Sequence, residues 1–215
     1  SWLVLIQFKP HIVVGCAGYV SGPIVLIAAW TGQKTLVQEQ NSRPGRTTRL
    51  LAKFADEVHG AYEEVRTFFE DQQKLKISGN PLRKGLQKIS RTEACTFFGL
   101  DQKKRILLVI GGSLGAHAIN AALLDMINLF SNESGFNVLW QTGKNDFDGI
   151  ALHIETGPVK VLKFIDEMSK AYSCADLVLC RAGAMTISEI TMMGLPAILV
   201  PYPHAADNHQ EFNAQ

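Results

Sequence analysis

The chain has 215 residues, 47% of them apolar and 19% charged, with a formal net charge of +1. That length can bury a sizeable core in one large or two small domains, and the composition is that of a folded α/β protein rather than a disordered one. Near-neutral charge argues against nucleic acid as the main partner, because neutralising phosphates takes a basic surface. No stretch reaches the roughly 18 apolar residues that a membrane-spanning helix needs.

In chain order, residues 2–8 read as an apolar helical segment without a start signal, and their apolar face suits a core better than a membrane anchor. Short β-rich runs follow at 12–14, 35–38, 57–60, 76–78, 105–110, 137–141, 159–164, 177–180 and 197–200. They alternate with amphipathic segments, the pattern of βαβ units on a parallel sheet. Several are continuous apolar runs, as strands buried on both faces should be. Ser90 and Glu93 have the spacing of a capping box for a helix ending near Phe98. Ile119, Leu123, Met126, Ile127 and Phe130 recur on one helical face. Gly194-Leu195-Pro196 stops a helix begun near Ala184.

The polar run at 70–74 and the turn Gly79-Asn80-Pro81 place a domain boundary between them, which divides the chain into 1–76 and 77–215. The first residue is Ser, and the last three fall inside a helical pattern, so the chain is expected to be a piece of a longer protein. Cys16, Cys95, Cys174 and Cys180 form no CxxC pair, and no histidine cluster completes a zinc spacing, so buried free thiols are expected. His204 and His209 flank Asp207, but a proline-bounded loop does not enforce shared ligation, and no metal is expected. His11, His59, His117 and His153 have no partner recognisable from sequence.

Three small-residue loops each leave a strand and open a helix. The first, Gly15-Cys16-Ala17-Gly18-Tyr19-Val20-Ser21-Gly22-Pro23, fits an anion-binding turn and a plain tight turn equally well. In the second, the apolar run 106–110 enters Gly111-Gly112-Ser113-Leu114-Gly115-Ala116, where free helix-start amides and the Ser113 hydroxyl suit a phosphate. It is neither a Walker loop nor a GxGxxG fingerprint, which sets a dehydrogenase far behind. The third, Cys180-Arg181-Ala182-Gly183-Ala184-Met185-Thr186-Ile187-Ser188-Glu189, offers amides for a diphosphate and a carboxylate one turn further in. Glu189 suits ribose hydroxyls, and it equally suits simple charge–dipole placement near a helix start. In Pro201-Tyr202-Pro203-His204-Ala205-Ala206-Asp207-Asn208-His209-Gln210, the Gln210 amide can both donate to and accept from a sugar hydroxyl.

The ordered set of 18–23, 39–41, 79–83, 111–116, 164–168, 180–189 and 201–210 resembles the MurG family of GT-B glycosyltransferases over nearly the whole chain. The resemblance implies an α/β GT-B fold with two Rossmann-like, parallel-sheet domains, both incomplete here: an acceptor-side domain over 1–76 and a UDP-sugar donor domain over 77–215. It implies inverting transfer of N-acetylglucosamine from UDP-N-acetylglucosamine to the muramoyl C4 hydroxyl of the undecaprenyl-pyrophosphoryl-linked pentapeptide precursor. Ser113 would contact the diphosphate, Ile165 would hold the uracil through its backbone, and Ala184, Met185 and Thr186 would present their amides to the phosphates. Ile187 and Ser188 continue that stretch, Glu189 would bind the ribose, Gln210 the sugar hydroxyls, and Asn41 and Arg83 match donor-site positions.

No cofactor or metal is implied. The family's histidine-bearing loop, proposed to hold the base, would precede residue 1, so no catalytic residue is assigned within the chain and the chain alone is expected to be inactive. Ala17 stands where the family commonly has glycine. The family also implies peripheral contact with the cytoplasmic face of the bacterial inner membrane, through Trp2, the 3–8 face and Trp30, flanked by Lys9 and Lys34. The alternatives are a GT-B transferase with another lipid acceptor, and a non-catalytic UDP-sugar-binding fragment.

Overall fold

In the computed structural model, which describes residues 1–130, 135–154 and 157–215, the chain divides into two compact units. One is Ser1–Pro81 with Tyr202–Gln215, and the other is Leu82–Pro201. The sequence reading divides the chain after residue 76 instead. The difference has a local cause. The strand Leu75–Ile77 pairs with Glu57–Gly60 and so carries the first unit past that point. At the other end, Asn213 ties the last turn to Ser42, through Oδ1 accepting from the Ser42 amide at 2.9 Å and from its hydroxyl at 3.1 Å.

The first unit holds a four-stranded sheet, β1 (Ile12–Cys16), β2 (Lys34–Glu39), β3 (Glu57–Gly60) and β4 (Leu75–Ile77), parallel throughout and in sequential order. Its helices include α1 (Trp2–Phe8), α2 (Ser21–Trp30) and α3 (Arg46–Ala52). Burial along β1 alternates. Val13 turns into a core with Leu5, Val25, Ala28, Val37 and Leu51, while Ile12 and Val14 stay about half exposed. β1 is therefore covered on one face only within this chain, unlike the central strands of the second unit.

Only Leu5 of α1 is buried. Trp2, Leu3, Val4, Ile6 and Phe8 are all exposed, so the expectation that this face is core is corrected. A seven-residue helix has room to bury only one narrow stripe, and α1 spends it on Leu5 against α2.

The second unit holds a five-stranded parallel sheet ordered β7-β6-β5-β8-β9. Its strands are β5 (Arg105–Ile110), β6 (Phe136–Gln141), β7 (Val159–Leu162), β8 (Leu177–Cys180) and β9 (Ala197–Leu199). The helices are α4 (Arg91–Phe98), α5 (His117–Asp125), α6 (Phe147–Ala151), α7 (Met168–Cys174) and α8 (Ala184–Met193). Alternate residues of β5 feed two cores. Ile106, Leu108 and Ile110 pack with Phe98, Tyr172 and Met193, and Val109 packs on the other face with Ile119, Leu123 and Trp140. This is double winding, and it explains why β5 and β6 read as continuous apolar runs.

Three local expectations are refined. Ser90 is the N-cap of α4, but its side chain makes no capping bond; the residue is exposed, so solvent can serve the first-turn amides. α5 ends at Asp125, and a 3₁₀ turn at Ile127–Leu129 takes over, still packing Ile127 and Phe130 against the Trp140 core. α8 ends as read, at Gly194, which adopts φ 61° and lets the Leu195 amide reach the Ile190 carbonyl. Among the described residues no helix is long and apolar enough to cross a membrane.

Candidate functional site

In the second sheet, β6 and β7 extend from one side of β5 while β8 and β9 extend from the other, so the strand order reverses between β5 and β8. At such a switch point the loops leaving the strand carboxyl ends run apart and open a crevice, the general ligand position in open α/β sheets. A cavity lies there. It is lined by Ile110, Gly112 and Ser113 from the end of β5, Gln141 from the end of β6, and Phe164 and Ile165 beyond β7. Thr186 and Glu189 of α8, Met168 and Tyr172 of α7, and Arg83 complete it. At about 130 Å³ it is smaller than a whole small-molecule pocket and suits part of a ligand, such as a base with its ribose. A larger cavity of about 640 Å³ in the first unit, between α3 and residues 68–74, mixes Arg46, Arg49, Lys53 and Lys74 with Phe68 and Phe69, and lies at no switch point.

The path of the loop after β5 is set by a close crossing of two backbones. A Cβ on Gly115, at φ 82°, would meet the Thr142 carbonyl oxygen, and one on Gly143, at φ 78°, would meet the Leu114 carbonyl oxygen. Two loop backbones therefore cross where side chains would otherwise sit, which only glycine permits at these angles. The crossing fixes the path of the chain past Ser113 into α5.

The loop after β8 turns at Gly183, the N-cap of α8. The first intrahelical bond runs from the Ile187 amide to the Gly183 carbonyl at 3.0 Å, so the amides of Ala184, Met185 and Thr186 have no intrahelical acceptor. They form the positive end of a ten-residue helix. Of the run Ala184 to Glu189, only Thr186 and Glu189 line the cavity. Ala184 is buried, and Ser188 bonds back to the Ala184 carbonyl at 2.9 Å, which commits its hydroxyl to the helix itself.

Glu189 is positioned by Tyr172. The phenol, 1% exposed, donates to Glu189 Oε2 at 2.9 Å. Burial, reinforced by the Glu189 charge and hydrogen bond, drives the Tyr172 hydroxyl well above its ordinary pKa, so it remains a donor throughout the working pH range. Sequence reading missed Tyr172, and its only signal was a lone aromatic residue on a short helix. Gln141 was missed too. It is 4% exposed, donates from Nε2 to the Gly112 carbonyl at 2.8 Å, and accepts the Ile165 amide at Oε1 at 2.8 Å.

Arg83, Ser113, Ile165, Thr186 and Glu189 are thus brought together. Asn41 and Gln210 belong to the first unit. Asn41 donates through its amide and its Nδ2 to Oε1 of the buried Glu39, at 3.0 and 3.1 Å, and accepts from Asn213 Nδ2 at 3.1 Å. Gln210 Oε1 accepts the Tyr202 amide at 2.9 Å. Histidines read as partnerless acquire partners: His117 pairs with Asp146 at 3.2 Å, and His59 lies between Ser78 and Glu57 at 3.2 and 3.0 Å. Cys95, Cys174 and Cys180 are buried free thiols, with burial pushing the last two up to about 12, whereas Cys16 is exposed, contrary to expectation, because it falls on the uncovered face of β1.

Residues 106–215 match the model of the glycosyltransferase family 28 C-terminal domain, and residues 2–60 match that family's N-terminal domain. The UDP-N-acetylglucosamine–N-acetylmuramyl-(pentapeptide) pyrophosphoryl-undecaprenol N-acetylglucosamine transferase of Chlorobaculum tepidum is 48% identical over 207 residues, which are 96% of this chain and 56% of that protein. The chain thus spans a little over half the length of the curated relatives it matches. Among solved structures, Acinetobacter baumannii MurG superposes with a TM-score of 0.73 at 33% identity, over 99% of this chain and 58% of that one. The UDP-GlcNAc 2-epimerase of Neisseria meningitidis, at 13% identity, TM-score 0.71 and coverage of 98% and 64%, shares the fold alone. Two parallel-sheet α/β units of GT-B class, a cavity at the strand-order reversal and matches to both family domains converge on one assignment: the chain belongs to glycosyltransferase family 28, within its MurG family.

Proposed function

We propose that the chain carries the donor-binding part of an inverting N-acetylglucosaminyltransferase, which moves the sugar from UDP-N-acetylglucosamine to the muramoyl C4 hydroxyl of an undecaprenyl-pyrophosphoryl-linked peptidoglycan precursor. The observation that carries this reading is the switch-point cavity, where a carboxylate, a guanidinium and a helix start converge. Ala184, Met185 and Thr186 would present amides, and Ser113 a hydroxyl, to the diphosphate, while Arg83 adds positive charge beside them. As the sugar departs, charge grows on the leaving diphosphate, and donors already in place stabilise it without reorganising. Glu189, steadied by Tyr172, would accept from the ribose hydroxyls, and Ile165 would meet the base through its backbone. Gln210 is proposed for the sugar hydroxyls and Asn41 for the donor, both on family resemblance.

The lipid acceptor belongs, on this reading, to the first unit. There the exposed Trp2, Leu3, Val4, Ile6, Phe8 and Trp30 supply an apolar patch for peripheral contact with the cytoplasmic face of the inner membrane, with Lys9 and Lys34 as cationic neighbours. Calorimetry with UDP, UDP-N-acetylglucosamine and UDP-glucose tests the donor half. Binding of UDP, tighter with N-acetylglucosamine attached than with glucose, is expected. A folded sample that binds none of the three would remove the proposal.

A further inference from the structure

We propose that the first unit carries a second ligand site, a cavity that takes a phosphate group joined to an apolar body. Its residues are separate from those of the switch-point cavity, so it goes beyond the donor-site reading. The cavity of about 640 Å³ between α3 and residues 68–74 has the size of a small-molecule site and far exceeds what a bare ion fills. Residues 46, 49, 50 and 53 follow the i, i+3, i+4, i+7 rhythm of a helix, so Arg46, Arg49 and Lys53 stand on one face around Leu50. Among the described residues none of these three cations is in an ion pair. Glu70 and Asp71 also line the cavity, but Lys74 lies 3.9 Å from Asp71, so the lining keeps an excess of positive charge.

A second observation points the same way. The Arg49 Nε–H is buried and has no hydrogen-bond acceptor among the described residues. A buried charged donor left open is costly, and an incoming anion supplies what it lacks. Phosphate suits the walls better than a carboxylate does. A phosphomonoester carries about −1.5 to −2 charge at pH 7, and its three free oxygens can serve two guanidinium forks and an ammonium together. The rest of the lining asks for an apolar body. Leu50 and Phe68 remain 53% and 37% exposed beside the cations, surface that a ring or short alkyl chain would remove from water. A soluble phosphorylated compound and a phospholipid headgroup share this chemistry.

The test is calorimetric titration of the 215-residue chain with inorganic phosphate and with phenyl phosphate, in the presence of saturating UDP. Phenyl phosphate is expected to bind at least about threefold tighter than inorganic phosphate, the ring adding burial on Leu50 and Phe68. Arg49→Ala should weaken it at least about tenfold and leave UDP affinity unchanged. Arg49→Lys should not restore it, because an ammonium keeps the charge but not the Nε–H. Phe68→Ala should remove the advantage of phenyl phosphate and leave inorganic phosphate as it was.

Vesicles of phosphatidylglycerol separate the two sources. Displacement of bound phenyl phosphate assigns the site to a headgroup, and its retention assigns the site to a soluble ligand. No binding of phenyl phosphate by wild type overturns the proposal, as does displacement of it by UDP. Equal binding by wild type and Arg49→Ala overturns it too. If Arg49→Ala does not fold, the exposed pair Arg46→Gln and Lys53→Gln takes its place, and unchanged affinity in that double variant is equally fatal.

Discussion

Glu189 gives Oε2 to the Tyr172 hydroxyl, and among the described residues Oε1 has no protein partner. A carboxylate held at one oxygen is oriented at little further entropy cost, which is the arrangement a ribose diol needs. Glu189→Gln keeps the shape but replaces a charged acceptor with a neutral one. Loss of about 1.5–3 kcal/mol is expected, seen as a tenfold or greater weakening of UDP in titration. Unchanged affinity would return Glu189 to the other reading, a favourable charge near a helix start. Ala17 shows the opposite economy. Its φ of 54° puts a residue with a Cβ in the left-handed region, in the loop where the family commonly has glycine.

At the scale of elements, Asp176 joins β8 to β5 and α4. Its Oδ2 accepts the Ile106 amide and the Arg91 guanidinium, both at 2.9 Å, and Oδ1 accepts Arg105 at 3.1 Å. Burial opposes the charge, but the Ile106 amide and the two arginines outweigh it and hold the carboxyl below its ordinary range. A depressed pKa stabilises the fold above the unfolded value and loses that stability as pH falls through the folded one. Asp176→Asn is therefore expected to cost about 1.5–3 kcal/mol at pH 7, with the gap to wild type closing as denaturation is repeated below pH 4.

All nine strands were anticipated, most of them from apolar runs, and β3, β5 and β8 match to the residue. Gln141 and Tyr172 were not. Their roles depend on which loops the strand order brings beside them, and a linear pattern carries no record of neighbours 24 or 17 positions away. The extent of α5 was also out of reach, because the apolar spacing of Ile127 and Phe130 is served as well by a 3₁₀ turn as by a continued helix.

For the whole molecule, near-zero net charge conceals an uneven surface. α1 exposes nearly all its large apolar side chains, Trp30 meets Phe54 edge to face at 6.5 Å, and Leu50 and Phe54 are exposed as well. Exposed apolar side chains on one helix and on the Trp30–Phe54 pair are the kind of surface that takes up a partner. Wild type is expected to float with vesicles containing anionic phospholipid, and Trp2→Ala with Trp30→Ala to reduce the floated fraction severalfold while leaving UDP binding intact. Equal flotation of the two proteins would remove the membrane assignment from this patch.

The crossing of Gly115 and Gly143 bears on how mutations combine. Gly115→Ala alone must push Thr142 away, and Gly143→Ala alone must push Leu114 away, so each should cost at least about 2 kcal/mol. Either displacement opens the same gap between the two loops. Once it is open, the second methyl finds room that the first has made, and the double variant should be less destabilised than the sum of the singles. Strict additivity in a thermodynamic cycle would mean that the loops yield independently. Sub-additivity would identify them as a single mechanical joint beneath Ser113, one that can be lost only once.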